Sequence, residues 1–237
     1  MLSYMNAKVK ILDYIKGNAL KAGDRLPTEA KLAEQLQIGR LSLREGLNAL
    51  KNEGIILSIQ GKGTFMACNL EHITNTLNMN YSVSDMIRSS GYEPECSLFK
   101  KEIISATKEI ADSLRIEPNT DVSLCTRIRT ADGVPVVLMK DYMGPSLASD
   151  FFSFTSDTVS LYNHIENRSG SKIGTCISEI APICADKELA EALQVPEGTP
   201  LLEFRNICND LYGIPIMYSQ EFFRGDKFQF ILTRGRS

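Results

Sequence analysis

Apolar positions recur with two different rhythms along the 237 residues. Near the start the rhythm is helical. Val9, Ile11, Leu12 and Ile15 make one apolar face between lysines, which predicts a helix over 7–16. Gly17 and Gly23 bracket a turn that ends at Leu26 and Pro27. Thr28 is suited to an N-cap and Glu29 to a first turn, and Leu32, Ala33 and Leu36 form one stripe, so a second helix begins there. Leu43, Leu47 and Leu50 predict a third helix from Arg40 to Glu53, with Gly54 placed to end it. Two short helices joined by a tight glycine-containing turn are a helix-turn-helix. Ile55 to Ser58 and Thr64 to Met66 then read as strands around Gln60-Gly61-Lys62-Gly63, a wing-like hairpin.

Beyond residue 70 a polar stretch through Asn80 has no strong period and reads as a linker. A helix from Ser84 to Ser90 stops at Gly91, and the rhythm then turns to strands. These fall near 97–105, 121–130, 134–143, 173–182, 199–209, 214–223 and 228–234, with helices near 160–168 and 186–194. Ala131-Asp132-Gly133 and the Asp210 to Gly213 turn each join two strands as a hairpin. The two hairpin units resemble each other. Thr126-Arg127 to Pro135-Val136 parallels Arg205-Asn206 to Pro215-Ile216, and each follows a Pro-containing turn and a short helix ending at Leu114 or Leu193. An internal duplication of roughly 80 residues is expected, giving a pseudo-twofold sheet whose halves enclose a crevice for a ligand. The class is α+β with an antiparallel sheet. The expected domains are 1–68, a linker over 69–80, and 81–237.

Charge sharpens this division. Residues 1–70 hold ten Lys and Arg against six acids, and the rest hold 16 basic and 23 acidic residues, so the net −3 is unevenly spread. A basic first third suits a polyanion partner. Cys68, Cys96, Cys125, Cys176, Cys184 and Cys208 form no CxxC pair and have no histidine at metal spacing, so no metal site, redox motif or cofactor is expected. His72 and His164 lie far apart and near no nucleophile pattern. The start of the chain shows no leader-like apolar region, and no apolar run approaches the ~18 to 20 residues that span a bilayer. A cytoplasmic location, reduced thiols and no membrane partner are the expectation.

Five linked blocks carry a specific resemblance. Gly23-Asp24-Arg25-Leu26-Pro27-Thr28-Glu29, Leu32-Ala33-Glu34-Gln35-Leu36, Arg40 to Leu47, Glu53-Gly54-Ile55 and Gln60-Gly61-Lys62-Gly63-Thr64-Phe65 resemble, in order and spacing, the winged-helix signature of the GntR family of bacterial regulators. The resemblance implies binding to a palindromic double-stranded DNA operator by a homodimer. Arg40, Ser42 and Arg44 stand at the start of the recognition helix, where side chains reach base edges or phosphates. The alternative for Arg40 and Arg44 is a solvated helix face paired with Glu45 or Glu29. Thr28 and Lys31 are further contact candidates, and in the wing Gly61 and Gly63 allow close backbone approach while Lys62 brings a cation. The pattern departs from the family at three places: Ala30 where Arg is usual, Gly46 where Ala is usual, and Leu41 where Thr or Ser is usual.

The body resembles the UTRA effector-binding domain of HutC-type GntR regulators, which has a chorismate-lyase-like fold. Ser82-Val83-Ser84-Asp85, Leu114 to Pro118, Thr126 to Arg129, Asp132-Gly133-Val134-Pro135-Val136, Ser160-Leu161-Tyr162, Gly198 to Leu202 and Arg224 to Phe228 carry that resemblance. Arg127 and Arg129 alternate onto one strand face and can grip a phosphate or carboxylate as forks. Ser82, Val83 and Ser84 open one helix and Ser160 another, where amides favour an anion. The resemblance places Tyr162 beside that anion, and Glu179, Glu221 and Arg224 are candidates to complete the pocket. The alternative for the arginines is a solvated strand face paired with Glu179 or Asp141. Met139 stands where sugar-phosphate-binding members carry a glutamate. The implied function is a repressor released from DNA by a small anionic effector such as a phosphorylated sugar. A small-molecule enzyme on the lyase-like fold and an effector-independent DNA-binding protein are the rival readings.

Overall fold

The leucine stripes form helices where the sequence places them. The computed structural model describes residues 3–68, 73–77, 82–147, 154, 161–168 and 172–232. The first of its two units comprises Met1–Tyr81, Asp85–Tyr92 and Asp226–Ser237. It opens with α1 (Ser3–Gly17), α2 (Glu29–Leu36) and α3 (Arg40–Asn52), followed by the antiparallel hairpin β1 (Ile56–Ile59) and β2 (Gly63–Met66). Thr28 caps α2 by accepting from the Lys31 amide at 3.4 Å, and Gln37 closes the helix in a left-handed conformation. Ile11, Leu32, Leu43, Leu50 and Met66 meet in one core.

Gly46 sits at the crossing of α3 and α1. A Cβ there would lie 3.0 Å from Ile11 Cδ1 and 3.1 Å from the Lys8 amide nitrogen. This close approach explains a glycine inside a helix, where it otherwise costs about 1 kcal/mol. Beside it, the buried Lys8 ammonium donates to Glu53 Oε1 at 2.7 Å.

Two features of this unit differ from the sequence reading. The stretch read as a linker holds β3 (Ile73–Thr76), and β3 pairs in parallel with β10 (Phe228–Ile231). The division therefore groups the last strand with the first unit, where the reading ran its second domain to 237.

The helix α4 (Val83–Ser89) leads to the second unit, Ser82–Ser84 and Glu93–Gly225. Here β4 (Pro94–Ser105), α5 (Lys108–Leu114), β5 (Asp121–Ala131) and β6 (Val134–Met143) are followed by α6 (Leu161–Arg168), β7 (Ile173–Cys184), α7 (Lys187–Leu193), β8 (Pro200–Asp210) and β9 (Pro215–Arg224). One antiparallel sheet results, ordered β4-β5-β6-β9-β8-β7. That order is a duplication made visible. The strands run outward from the β6–β9 seam in the same sequence on both sides, and Lys140 opposes Gln220 at its centre. The small helices match as well: Thr107 and Asp186 cap α5 and α7 with their side chains, and Arg115 and Gln194 close them in left-handed conformations.

Side chains alternate between the two faces of the sheet. On one face α5 packs Ile110 and Leu114 against Leu124, Tyr142 and Tyr218, while α7 packs Leu189 and Leu193 against Ile128, Leu138 and Phe222. The other face carries Arg127, Met139, Asp141, Ser219, Glu221 and Asn206 in one patch, as the registers require. Leu161 and Ile165 of α6, with Phe154, cover the adjoining Cys125, Met143 and Met217.

The expectation of six reduced thiols is corrected. Cys176 and Cys208 are joined as a disulfide, while Cys68, Cys96, Cys125 and Cys184 remain thiols. Their positions are directly opposed on β7 and β8, which brings the Cβ atoms close enough for the two sulfurs to bond.

Candidate functional site

Two constellations follow from this framework. On the first unit, Thr28, Lys31, Arg40, Arg44 and Lys62 are all exposed, and Ser42 is half-buried. An open depression at the α2–α3 turn is lined by Thr28, Lys31, Gly39 and Arg40. The apolar side of α3 faces inward through Leu43, Leu47 and Leu50, so its cations point to solvent. Arg44 is engaged: its Nε donates to Glu29 Oε2 at 2.7 Å, the pairing that the sequence left open. That hydrogen bond and the Glu29 charge raise the Arg44 pKa. An exposed pair of this kind is weak and readily exchanged for another anion.

In the wing, Gly61 has φ +74° and Gly63 has φ +118°. A Cβ on Gly63 would fall 2.8 Å from Arg25 Nε, the movable end of a side chain, so it is the backbone conformation that calls for glycine there. Leu41, at 74% exposure, projects from the start of α3 between Arg40 and Ser42.

The second constellation lies on the patterned face of the sheet. Arg127 and Arg129 share that face but are buried, with 3% and 2% exposure, rather than solvated. Arg127 Nη2 donates to Asp141 Oδ2 at 2.6 Å, and Asp141 Oδ1 accepts from Ser219 Oγ at 2.9 Å. Burial acts to lower the Arg127 pKa, and the Asp141 charge overrides it. Its Nε has no hydrogen-bond partner. A buried donor left unsatisfied costs about 1–3 kcal/mol, so this atom is poised for an acceptor.

Glu221 stands on the same face, opposite Met139, which in turn opposes Arg127. Burial pushes its pKa up to about 8, the Asp141 charge adds to this, and Arg127 and a hydrogen bond from Asn206 work against it. Asp141 and Asn206 stand in the neighbouring row of the same face, with Cys125 and Ser219, and sequence reasoning had placed neither among the effector-binding residues. Their signal was the duplication itself, because they occupy matching halves of the repeated hairpin.

Other sequence candidates separate. Tyr162, on α6, packs over this face with its hydroxyl 3.6 Å from Cys208 Sγ. Ser84 is buried and Ser82 half-buried, with Val83 buried at the start of α4. Ser160 lies outside the described residues. Glu179 opposes Arg205 on the helix-bearing face and is exposed, so the structure does not bring it to Arg127 or Arg129. Arg224 donates to the Pro135 and Leu193 carbonyls at 3.1 and 3.3 Å, contacts that serve the fold. Burial pushes the Cys125 thiol up to about 12, which makes it a packing residue. Among the described residues no cluster of three or more His, Cys, Asp or Glu could hold a metal ion, and no helix is long and apolar enough to cross a membrane.

Comparison with known proteins matches both halves. Residues 3–66 match the family described as bacterial regulatory proteins, gntR family, and residues 89–229 match the UTRA domain. The HTH-type transcriptional repressor NagR of Bacillus subtilis (strain 168) is 26% identical over 228 residues, covering 96% of this chain and 93% of the relative. The HTH-type transcriptional regulator GmuR of the same organism is 28% identical over 219 residues, covering 90% of each. The crystal structure of PhnF from Mycobacterium smegmatis superposes with a TM-score of 0.66 at 22% identity, covering 97% of this chain and 100% of that one.

Proposed function

The chain belongs to the gntR family of bacterial regulatory proteins and carries a UTRA domain, a DNA-binding regulator and not an enzyme; from that premise we propose that it is a homodimeric repressor released from a palindromic operator by a small anionic effector. The observation that carries the effector reading is the buried Arg127 guanidinium, with an Nε that lacks a partner beside a fork already committed to Asp141. An acceptor-rich group, phosphate or carboxylate, satisfies that atom. Arg129 adds a second buried cation on the same strand face. Met139 removes a hydroxyl-binding carboxylate from the centre of the row, so the ligand is held by its charge more than by sugar hydroxyls.

Thr28, Lys31, Arg40, Ser42, Arg44 and the Gly61-Lys62-Gly63 tip form the DNA surface of this reading. Edge strand β7 exposes Ile177 and Ile180, which suits pairing with a second copy in the cytoplasm where the operator resides. Effector binding then shifts the equilibrium between head arrangements by its different affinity for each.

The test is thermal unfolding of the full chain across sugar phosphates, phosphonates, carboxylates and neutral sugars. A ligand at about 100 times its Kd adds roughly 2.7 kcal/mol. Stabilisation by anions that disappears in R127Q/D141N supports the reading, and stabilisation confined to neutral compounds refutes it.

A further inference from the structure

The two halves of the sheet carry the same polar device with one difference. On β6, Asp141 opposes Cys125, and on β9, Glu221 opposes Phe204. On β5, Arg127 opposes Met139, and on β8, Asn206 opposes Ser219. The seam pairing of Lys140 with Gln220 makes these positions equivalent about the pseudo-twofold. The first half therefore joins an acid to a guanidinium at 2.6 Å, while the second joins an acid to a neutral amide. Glu221 is 7% exposed and Asn206 6%, so neither relies on bulk water.

A buried carboxylate whose matching cation has been replaced by an amide is a site shaped for a cation brought from outside. Arg127 Nε, buried and without a hydrogen-bond partner, is a donor on a residue of the same row. Arg127, Met139 and Glu221 follow one another across three adjacent strands, so about 10 Å separates the outer two Cα atoms. Met139 offers only an apolar floor between them.

We propose that the effector carries a protonated amine as well as an anionic group, the amine bound at Glu221 in the place that Arg127 fills in the first half, and the anion at Arg127. The ligand class is amine-bearing phosphates, phosphonates or carboxylates. This rests on the anionic-effector reading and narrows it. The charged and polar neighbours of Glu221 are Asp141 on β6, Arg127 on β5, Asn206 on β8 and Ser219 on its own strand. Because burial pushes Glu221 up to about 8, the carboxyl holds a proton near neutrality and gives it to buffer when the ammonium arrives.

The experiment compares matched compounds on the full-length protein by thermal unfolding and titration calorimetry: ethanolamine phosphate against ethyl phosphate, and glucosamine 6-phosphate against glucose 6-phosphate. The amine-bearing member should bind about ten- to a hundredfold more tightly, as one charge-assisted hydrogen bond implies. Its binding heat should vary with buffer ionisation enthalpy in the sense of proton release. Both the preference and the proton release should vanish in E221Q, and N206R, which supplies the missing cation internally, should also erase the preference. If paired compounds bind equally to the unaltered protein, or the preference survives E221Q and N206R, the amine assignment is wrong and the anionic-effector reading stands. If neither member of any pair binds, both fall together.

Discussion

Removing either partner of the Arg127–Asp141 pair should unfold the sheet domain far more readily than removing both. Asp141 accepts from Arg127 at 2.6 Å and from Ser219 at 2.9 Å, and the side chains of the ion pair are 4% and 2% exposed. Asp141→Leu leaves a guanidinium that cannot reach water, and Arg127→Met leaves a carboxylate in the same position. Breaking one side of a buried pair costs about 3–5 kcal/mol, whereas replacing both partners with apolar groups is often close to neutral. The Ser219 hydroxyl loses its acceptor in D141L and in the double variant R127M/D141L, adding about 1 kcal/mol. Each single variant should thus fall by about 3–5 kcal/mol, the double by about 1–2, and the coupling should be at least about 4 kcal/mol. The chain has no tryptophan, so urea unfolding is followed by far-UV circular dichroism at fixed protein concentration. The midpoint should shift with an unchanged slope. Single variants that each cost under about 1 kcal/mol, or a double variant that equals their sum, would refute the premise that burial sets the energy of this pair.

Four further outcomes follow from other positions. Glu221 has a folded pKa raised from 4.5 to about 8, so the folded state holds a proton that the unfolded chain releases between those values; its contribution is full below about pH 4.5 and falls away as pH rises through 8, and pH-dependent urea midpoints should lose this slope in E221Q. Arg44→Ala should weaken specific operator binding roughly 5- to 150-fold in fluorescence anisotropy if Arg44 leaves Glu29 for a base edge, while unfolding stays unchanged because the pair is exposed. Leu41, 74% exposed at the start of α3, should contact a thymine methyl, so changing one operator thymine to deoxyuridine should weaken binding to the natural chain and leave L41S, which has no methyl to offer, insensitive. Gly46→Ala should destabilise by about 1 kcal/mol in urea despite its better helix propensity, because its Cβ would meet the α1 backbone at 3.1 to 3.2 Å; a stabilised variant would show that α1 yields.

What the sequence reveals and what it hides divide along register. The stripe through Leu43, Leu47 and Leu50 belongs to one helix and needs no knowledge of what it packs against, so the winged-helix core was legible. The duplication was legible too, because each turn signal lies beside the strand it ends. Cross-strand identities were not. Whether Glu179 shares a face with Arg127 depends on counting across the sheet, where a one-residue change reverses the answer, and the observed registers put it on the other side. The Cys176–Cys208 bond and the β3–β10 pair are hidden for the same reason, since no local signal announces which distant residue stands opposite. Arg127 marks the limit most clearly. Two arginines on alternate positions suggest an anion grip or a solvated face, and the sheet instead buries both and uses part of one to hold Asp141. The proposal of an anionic ligand accordingly rests on one guanidinium nitrogen, Arg127 Nε, instead of on two forks. In the place equivalent to Arg127 the second half has Asn206, so its buried acid meets an amide where the first half's meets a guanidinium, and the proposal of an amine-bearing ligand stands on that difference.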